Sequence, residues 1–262
     1  MKDIVEDALD RANRVDSADE LDGETDPDEF GEPRLTLLGY GSAGAELLQQ
    51  GWASDYPNVD THHVQRAEEL RDSSIDADYA ILVGDAGDRD LAAAIGEGLS
   101  ERTTSVAVSI STRESPVGSV ETANATIPCP RIRADELVTD LLAVLPGRTR
   151  VSPPIQFYDR LRTVGRVHGF RGERERADSP AEQFAAELVD DALANPFDAG
   201  SGDASEHFFS FLRADDAVTL ETFDALRNGI TDRFGTDTGS GSFAVDTTGD
   251  TGADYRLTLL RR

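Results

Sequence analysis

The stretch Arg34–Gln50, RLTLLGYGSAGAELLQQ, limits what this chain can fold into more than any other. Leu35, Leu37 and Leu38 form a short apolar run that reads as a buried strand. Gly39, Gly41 and Gly44 follow in G-x-G-x-x-G spacing, with Ser42 between them, and a helical pattern opens behind. Glycines at such a turn let the chain reverse tightly and let a phosphate reach the amides of a helix N-terminus. The same spacing also serves a turn that binds nothing, so the segments that follow decide.

Those segments alternate. Ala43–Trp52 reads as a helix, Val59–Val64 as a strand, Asp78–Gly84 as an almost wholly apolar central strand, Leu91–Leu99 as a helix and Ser105–Ile110 as a strand. Ala125–Pro128 is a last short strand, and Ala134–Leu145 is a helix with Leu137, Leu141 and Leu142 on one face, stopped at Pro146-Gly147. Such alternation indicates a parallel sheet covered by helices. The second half changes style. Ser179-Pro180-Ala181-Glu182 has the form of a capping box before a helix whose stripe is Phe184, Leu188, Val189, Ala192 and Leu193, ending at Asn195-Pro196. A strand at His207–Leu212 precedes a helix at Val218–Phe234 with Leu220, Phe223, Leu226 and Ile230 inward. Phe243–Val245 and Tyr255–Leu259 then read as a closing hairpin, giving an α+β second half.

Charge narrows the functions. The formal charge is −26, from 51 acidic against 25 basic residues, and Lys2 is the single lysine. An acidic, lysine-poor surface suits concentrated salt, which screens self-repulsion. It argues against nucleic acid or an anionic membrane as the main partner. No stretch is apolar enough to span a bilayer, and the N-terminus lacks a signal core, so the expected location is cytoplasmic. Met1–Arg14 carries an amphipathic helical pattern, and Val15–Pro33 is an acidic tether.

Several chemistries fail on residue type. A Walker P-loop needs a lysine behind its glycines, and none stands there. His62 and His63 are adjacent on a strand and point to opposite faces, while His168 and His207 are distant, so no metal site is expected. Cys129 stands between two prolines and reads as a packed residue. An NADP-type Rossmann domain fits the glycine spacing, with Arg66 beyond the second strand to meet a 2′-phosphate. Val64 and Gln65 stand where the usual acidic ribose ligand would be, and the second half offers no hydride-transfer site.

The ordered succession of segments carries a resemblance. AAELVDDALANPF at Ala185–Phe197, the strand Phe208–Leu212, AVTLETFDALRNGITDRFG at Ala217–Gly235 and the closing strands resemble the C-terminal domain of FtsZ. RLTLLGYGSAGAELLQQGW is similar to the FtsZ opening strand and its GxGGAG loop. MKDIVEDALDRA and EFGEPR resemble archaeal FtsZ N-terminal extensions, and VSPPIQFYDRLRTV at Val151–Val164 resembles the end of the central helix. The resemblance implies an α/β fold: a Rossmann-like parallel sheet of the FtsZ/tubulin nucleotide-binding type over residues 34–148, then a smaller α+β C-terminal domain over 165–262. Residues 1–33 form the acidic extension and 149–164 the connecting segment.

It also implies GTP or GDP as ligand, with Gly39, Gly41, Ser42, Gly44, Gly84 and Gly87 as the nucleotide-contacting positions. Head-to-tail assembly with a second copy or another FtsZ-family or cytoskeletal protein follows from the same resemblance. This chain departs from the family at two places. The phosphate loop GGGTGTG is replaced by GDAGDRD, Gly84–Asp90, so that Asp85, Asp88 and Asp90 oppose a polyphosphate. Each close like-charge pair costs up to about 4 kcal/mol at intermediate dielectric. The catalytic acidic loop falls near Gln156 and Asp159, where Asp159 alone keeps a carboxylate out of register, so no catalytic residue is assigned. The expectation is a cell-division or cytoskeletal protein that binds a related filament-forming partner, with GTP binding weakened and turnover weak or lost. A competent filament-forming GTPase and an NADP-binding oxidoreductase stand as alternatives.

Overall fold

The computed structural model describes residues 33–49, 56, 58–66, 68–71, 75, 77–99, 101–111, 120–145, 161–175, 179–198, 207–214, 218–234, 242–247 and 255–262. The expected N-terminal extension, the loop around Gln156 and Asp159, and the Pro146-Gly147 stop lie outside these residues. Residues Arg34–Arg262 form one compact unit.

The first half alternates as its sequence requires. β1 (Leu35–Tyr40), α1 (Gly41–Leu48), β2 (Val59–Val64), the short α2 (Glu68–Arg71), β3 (Tyr79–Asp85), α3 (Arg89–Gly98), β4 (Thr104–Ser111), β5 (Ala125–Pro130), α4 (Arg131–Val144) and β6 (Gly165–Arg166) follow in chain order. The strands make one six-stranded sheet in the order β2-β1-β3-β4-β5-β6, and every pair is parallel. Strands buried on both faces explain the near-continuous apolar runs. Leu35, Leu37, Ile81, Val83, Val106 and Val108 point to the side of α1 and α4. Leu38, Tyr40, Ala80, Leu82 and Ala107 point to the side of α3, where Ala92 and Ile95 meet them.

The second half builds its own sheet from β7 (His168–Arg174), β8 (His207–Ala214), β9 (Ser242–Asp246) and β10 (Tyr255–Arg261), with α5 (Ala181–Ala194) and α6 (Leu220–Phe234). The order is β7-β10-β8-β9, with β10 antiparallel to both neighbours and β8 parallel to β9. This overturns the expected hairpin: β9 and β10 do not pair. Helix α6 carries the chain back so that β9 starts beside β8 in the same direction, and β10 then enters between β7 and β8. β7 escaped the sequence reading altogether. One face of this sheet, with Phe170, Leu212, Tyr255, Leu257 and Leu259, packs on α5 and α6. Helix α5 begins at Ala181 with Pro180 as its cap residue and no side-chain cap, and the Ser179 hydroxyl has no partner among the described residues, so the capping box does not close there. Leu220 starts α6 at 53% exposure rather than turning inward, while Leu226 and Ile230 are buried.

Helix α4 lies between the two sheets. Eight of its residues, from Ala134 to Val144, are buried, and its Leu137 and Leu141 share a core with Phe209, Phe211 and Leu260 of the second sheet. The same face carries a buried ion cluster. Asp140 accepts from Arg171 Nη2 at 2.7 Å, Arg256 Nη2 at 3.1 Å and Thr258 Oγ1 at 2.8 Å, and Arg213 Nη1 stands 3.7 Å away. Arg171 also pairs with Glu136, and Arg213 with Asp246 at 3.2 Å. Burial pulls the Arg213 guanidinium down, but Asp140, Tyr56 and Asp246 outweigh it and hold it above its ordinary value. Three guanidiniums from three strands thus meet carboxylates from α4 and β9, which satisfies the rule that buried charges are paired.

Candidate functional site

The glycine turn lies at the carboxyl ends of β1 and β3. Here the sheet order reverses, because β1 has β2 on one side and β3 on the other. In open α/β sheets that crevice is where ligands bind. Gly41 opens α1 with φ +64°, the left-handed conformation that glycine adopts without penalty. The other glycines of the turn allow close packing. A Cβ on Gly44 would lie 2.4 Å from the Val83 carbonyl oxygen, and one on Gly39 would lie 2.6 Å from Leu48 Cδ1. Gly84 pairs with Tyr40 across the β1–β3 ladder, and a Cβ there would meet the Tyr40 carbonyl at 2.3 Å.

The geometry therefore divides the expected nucleotide-contacting residues. Gly39, Gly44 and Gly84 hold helix and strands together. Gly41 and Ser42 face the crevice side by side with the loop after β3. Gly87 is exposed in the 3₁₀ turn Ala86–Asp88.

What meets the start of α1 is a carboxylate of the chain itself. Asp85 Oδ2 accepts from the Ala43 amide at 2.9 Å and from the Ser42 hydroxyl at 3.1 Å. A Cβ on Gly41 would lie 2.9 Å from that same oxygen and 2.3 Å from Asp88 Oδ2. Tyr40, which precedes the helix, offers no side-chain cap, so Asp85 supplies one from another strand. Burial pushes the Tyr40 phenol up, and Asp85 and Asp88 add to this; the Ser109 hydroxyl opposes it without closing a hydrogen bond of ordinary geometry. On the rim, Arg131 at the start of α4 pairs with Glu46 of α1, and that pairing holds its guanidinium above the ordinary value.

The sequence reading placed Asp85 as a like charge facing a phosphate, and missed that it is bonded to the turn. The signal lies in the strand register and in no local sequence pattern. Pairing Tyr40 with Gly84 puts the next residue, Asp85, beside Gly41.

The remaining candidates sit apart. His62 and His63 are exposed on the edge strand β2, and His168 Nδ1 lies 3.4 Å from Asp198. No group of three His, Cys, Asp or Glu side chains among the described residues is arranged to hold a metal ion. Cys129 is buried, and burial pushes its thiol up to about 12, which is a packed residue and no nucleophile. At the end of β2, the Gln65 amide, next in sequence to Arg66, donates to Glu69 Oε2 at 3.0 Å. No described helix is long and apolar enough to cross a membrane.

No family model matches the chain. It is 33% identical to the cell division protein FtsZ 2 of Halobacterium salinarum over 107 residues, which cover 41% of this chain and 26% of that protein. The match thus spans about a quarter of the curated relative's length. Among solved structures, CetZ2 from Haloferax volcanii in a GTPγS-bound protofilament aligns with a TM-score of 0.59 at 10% identity, covering 87% of this chain and 92% of that one. CetZ1 from Haloferax volcanii, a GDP-bound monomer, gives a TM-score of 0.58 at 11% identity, with coverages of 87% and 93%. TubZ of Bacillus thuringiensis, in a protofilament, gives 0.51 at 8% identity, with coverages of 88% and 86%. These likenesses favour the FtsZ/tubulin reading over the NADP one. The chain thus has a tubulin-type fold across most of its length and is similar in sequence to FtsZ 2 across 41% of it.

Proposed function

We propose that this protein serves the cell-division or cytoskeletal system by associating with a related filament-forming protein, and that it does so without efficient GTP turnover of its own. The Asp85 carboxylate on the first turn of α1 carries this reading, with Asp88 beside it. Phosphoryl transfer depends on positioning and on stabilising negative charge. A cradle whose amide and hydroxyl already serve a carboxylate loses the donors and gains the wrong sign of charge. Losing one preorganised donor lowers a rate by about 10²–10³, and here the Ala43 amide and the Ser42 hydroxyl are both engaged. The solved relatives with this fold include protofilaments, which supports a filament-forming partner.

The test has two arms. Phosphate release from GTP is followed across a range of protein concentrations, with FtsZ 2 of Halobacterium salinarum assayed beside it. Sedimentation then asks whether this protein pellets with FtsZ 2 filaments. Background turnover with co-pelleting is the expected outcome. Robust, concentration-dependent phosphate release would instead establish the competent GTPase, and absence from the pellet would remove FtsZ 2 as the partner.

A further inference from the structure

We propose that Asp85 is an autoinhibitory contact: an intramolecular carboxylate that occupies the anion position of the glycine turn and keeps diphosphates out of it. The proposal rests on the functional reading above and names the contact that imposes it. The N-terminus of an eight-residue helix, opened by a glycine at φ +64°, presents an amide and a hydroxyl that both donate to one oxygen, Asp85 Oδ2. Helix N-termini of this build hold phosphates in other proteins. Asp85 leaves β3 in the register that brings it there, since Tyr40 pairs with Gly84 immediately before.

Three further observations show that the position is filled rather than merely capped. Asp88 Oδ2 also lies over Gly41, closer to the Cβ position than Asp85 does. The Tyr40 hydroxyl is buried, has no partner of ordinary geometry and feels both carboxylates. On the rim, Arg131 is paired with Glu46 of α1. A serine or threonine cap three residues back would satisfy the same amide while leaving the crevice open. A carboxylate delivered from β3 satisfies it and closes the crevice.

Removing the charge therefore exposes a binding position that the fold already contains. A unit charge about 4 Å from an anion at an effective dielectric of about 20 corresponds to up to about three decades in affinity. Asp85 is half-buried and Asp88 exposed, so solvent screening leaves a gain of about 10- to 100-fold.

The experiment titrates the full chain calorimetrically with inorganic pyrophosphate and, separately, with GDP and ADP. Wild type is expected to show no saturable binding at millimolar ligand. Asp85→Asn keeps an acceptor for the Ala43 amide and gains affinity at least tenfold over the wild-type limit; Asp85→Ser opens more space and gains further. Asp88→Asn touches no hydrogen bond recorded among the described residues and gives a smaller gain, so it decides should the Asp85 variants fail to fold. A gain for pyrophosphate alone identifies a bare diphosphate position, and a larger gain for GDP than ADP identifies a nucleoside pocket around it. Tight pyrophosphate binding by wild type, or folded variants with no gain, overturns the proposal. GTP turnover by wild type would overturn the functional reading, whereas an inert wild type with silent variants overturns this contact as the cause and leaves the lack of turnover standing.

Discussion

Removing the charge of Asp140 tests what fastens the second sheet to helix α4. Asp140→Asn preserves the shape of the side chain but weakens acceptors that Arg171, Arg256 and Thr258 reach at 2.7, 3.1 and 2.8 Å. Its new amide nitrogen has only donors to face. Water cannot stand in, because the side chains of Asp140 and Arg171 are 4% and 0% exposed. Breaking a buried ion pair by removing one partner costs about 3–5 kcal/mol. Glu136 and Asp246 still neutralise part of the three guanidiniums, which puts the expected loss near the lower bound, about 3 kcal/mol. For a chain of this size that lowers Tm by about 6–12 °C. Arg256→Met, made alone and together with Asp140→Asn, completes a cycle in which the double variant loses at least about 1 kcal/mol less than the sum of the singles. Urea unfolding at fixed pH and salt, followed by circular dichroism, measures all four proteins. An Asp140→Asn variant within about 0.5 kcal/mol of wild type would refute the reasoning, since that is the range of an ordinary surface change. Strict additivity in the cycle would refute it too.

Two other outcomes follow from positions described above. A Cβ on Gly172 of β7 would lie 2.6 Å from the Leu188 carbonyl oxygen and 2.7 Å from the Ala192 amide nitrogen of α5. Both are backbone, so Gly172→Ala pushes the helix off the sheet and lowers stability by about 1–3 kcal/mol, read as a lower urea midpoint; an unchanged midpoint contradicts this packing. The Cys129 thiol, raised to about 12 in the fold from an ordinary 9.0, favours the native state fully below pH 9 and loses that contribution as pH climbs from 9 toward 12. A thiol reagent at pH 8 labels native protein at least about 100-fold more slowly than unfolded protein, and Cys129→Ala flattens the alkaline arm of stability; rapid native labelling would show that the side chain is accessible.

The first sheet was legible because its burial is two-sided. Runs such as Ala80–Val83 are apolar without interruption and buried on both faces, the mark of a strand inside a parallel sheet. The second sheet was legible only on its helix-facing side. β7 reads HGFRGER, in which Phe170 faces α5 while Arg171 is buried on the opposite face against Glu136 and Asp140. An arginine at an inward position hides the period-two alternation that marks a strand, and β7 carries one without the apolar run that still reveals β8 and β10. Their partners are far apart in sequence: Asp140 and Arg256 are separated by 116 residues, a relation no local pattern conveys. The false hairpin has a similar origin. Closeness of β9 and β10 along the chain suggested pairing, while the central place of β10 follows from both of its faces being buried. At the glycine turn, composition revealed the acidic loop, but only the β1–β3 register shows that one of its carboxylates is bonded to the helix.

The position of β10 also sets an order of events during synthesis. It follows every other described strand in the chain, and it lies between β7 and β8, which have no ladder with each other. Until residues 255–261 emerge, the strand that joins those two is missing, and Asp140 waits for two of its partners, Arg256 and Thr258. The six-stranded sheet can form on the nascent chain, whereas one side of α4 stays incompletely covered until β10 has emerged. A newly made molecule therefore passes through a stage in which an apolar and charged helix face is open to other chains, and its yield in the cell depends on how quickly that last strand threads into place.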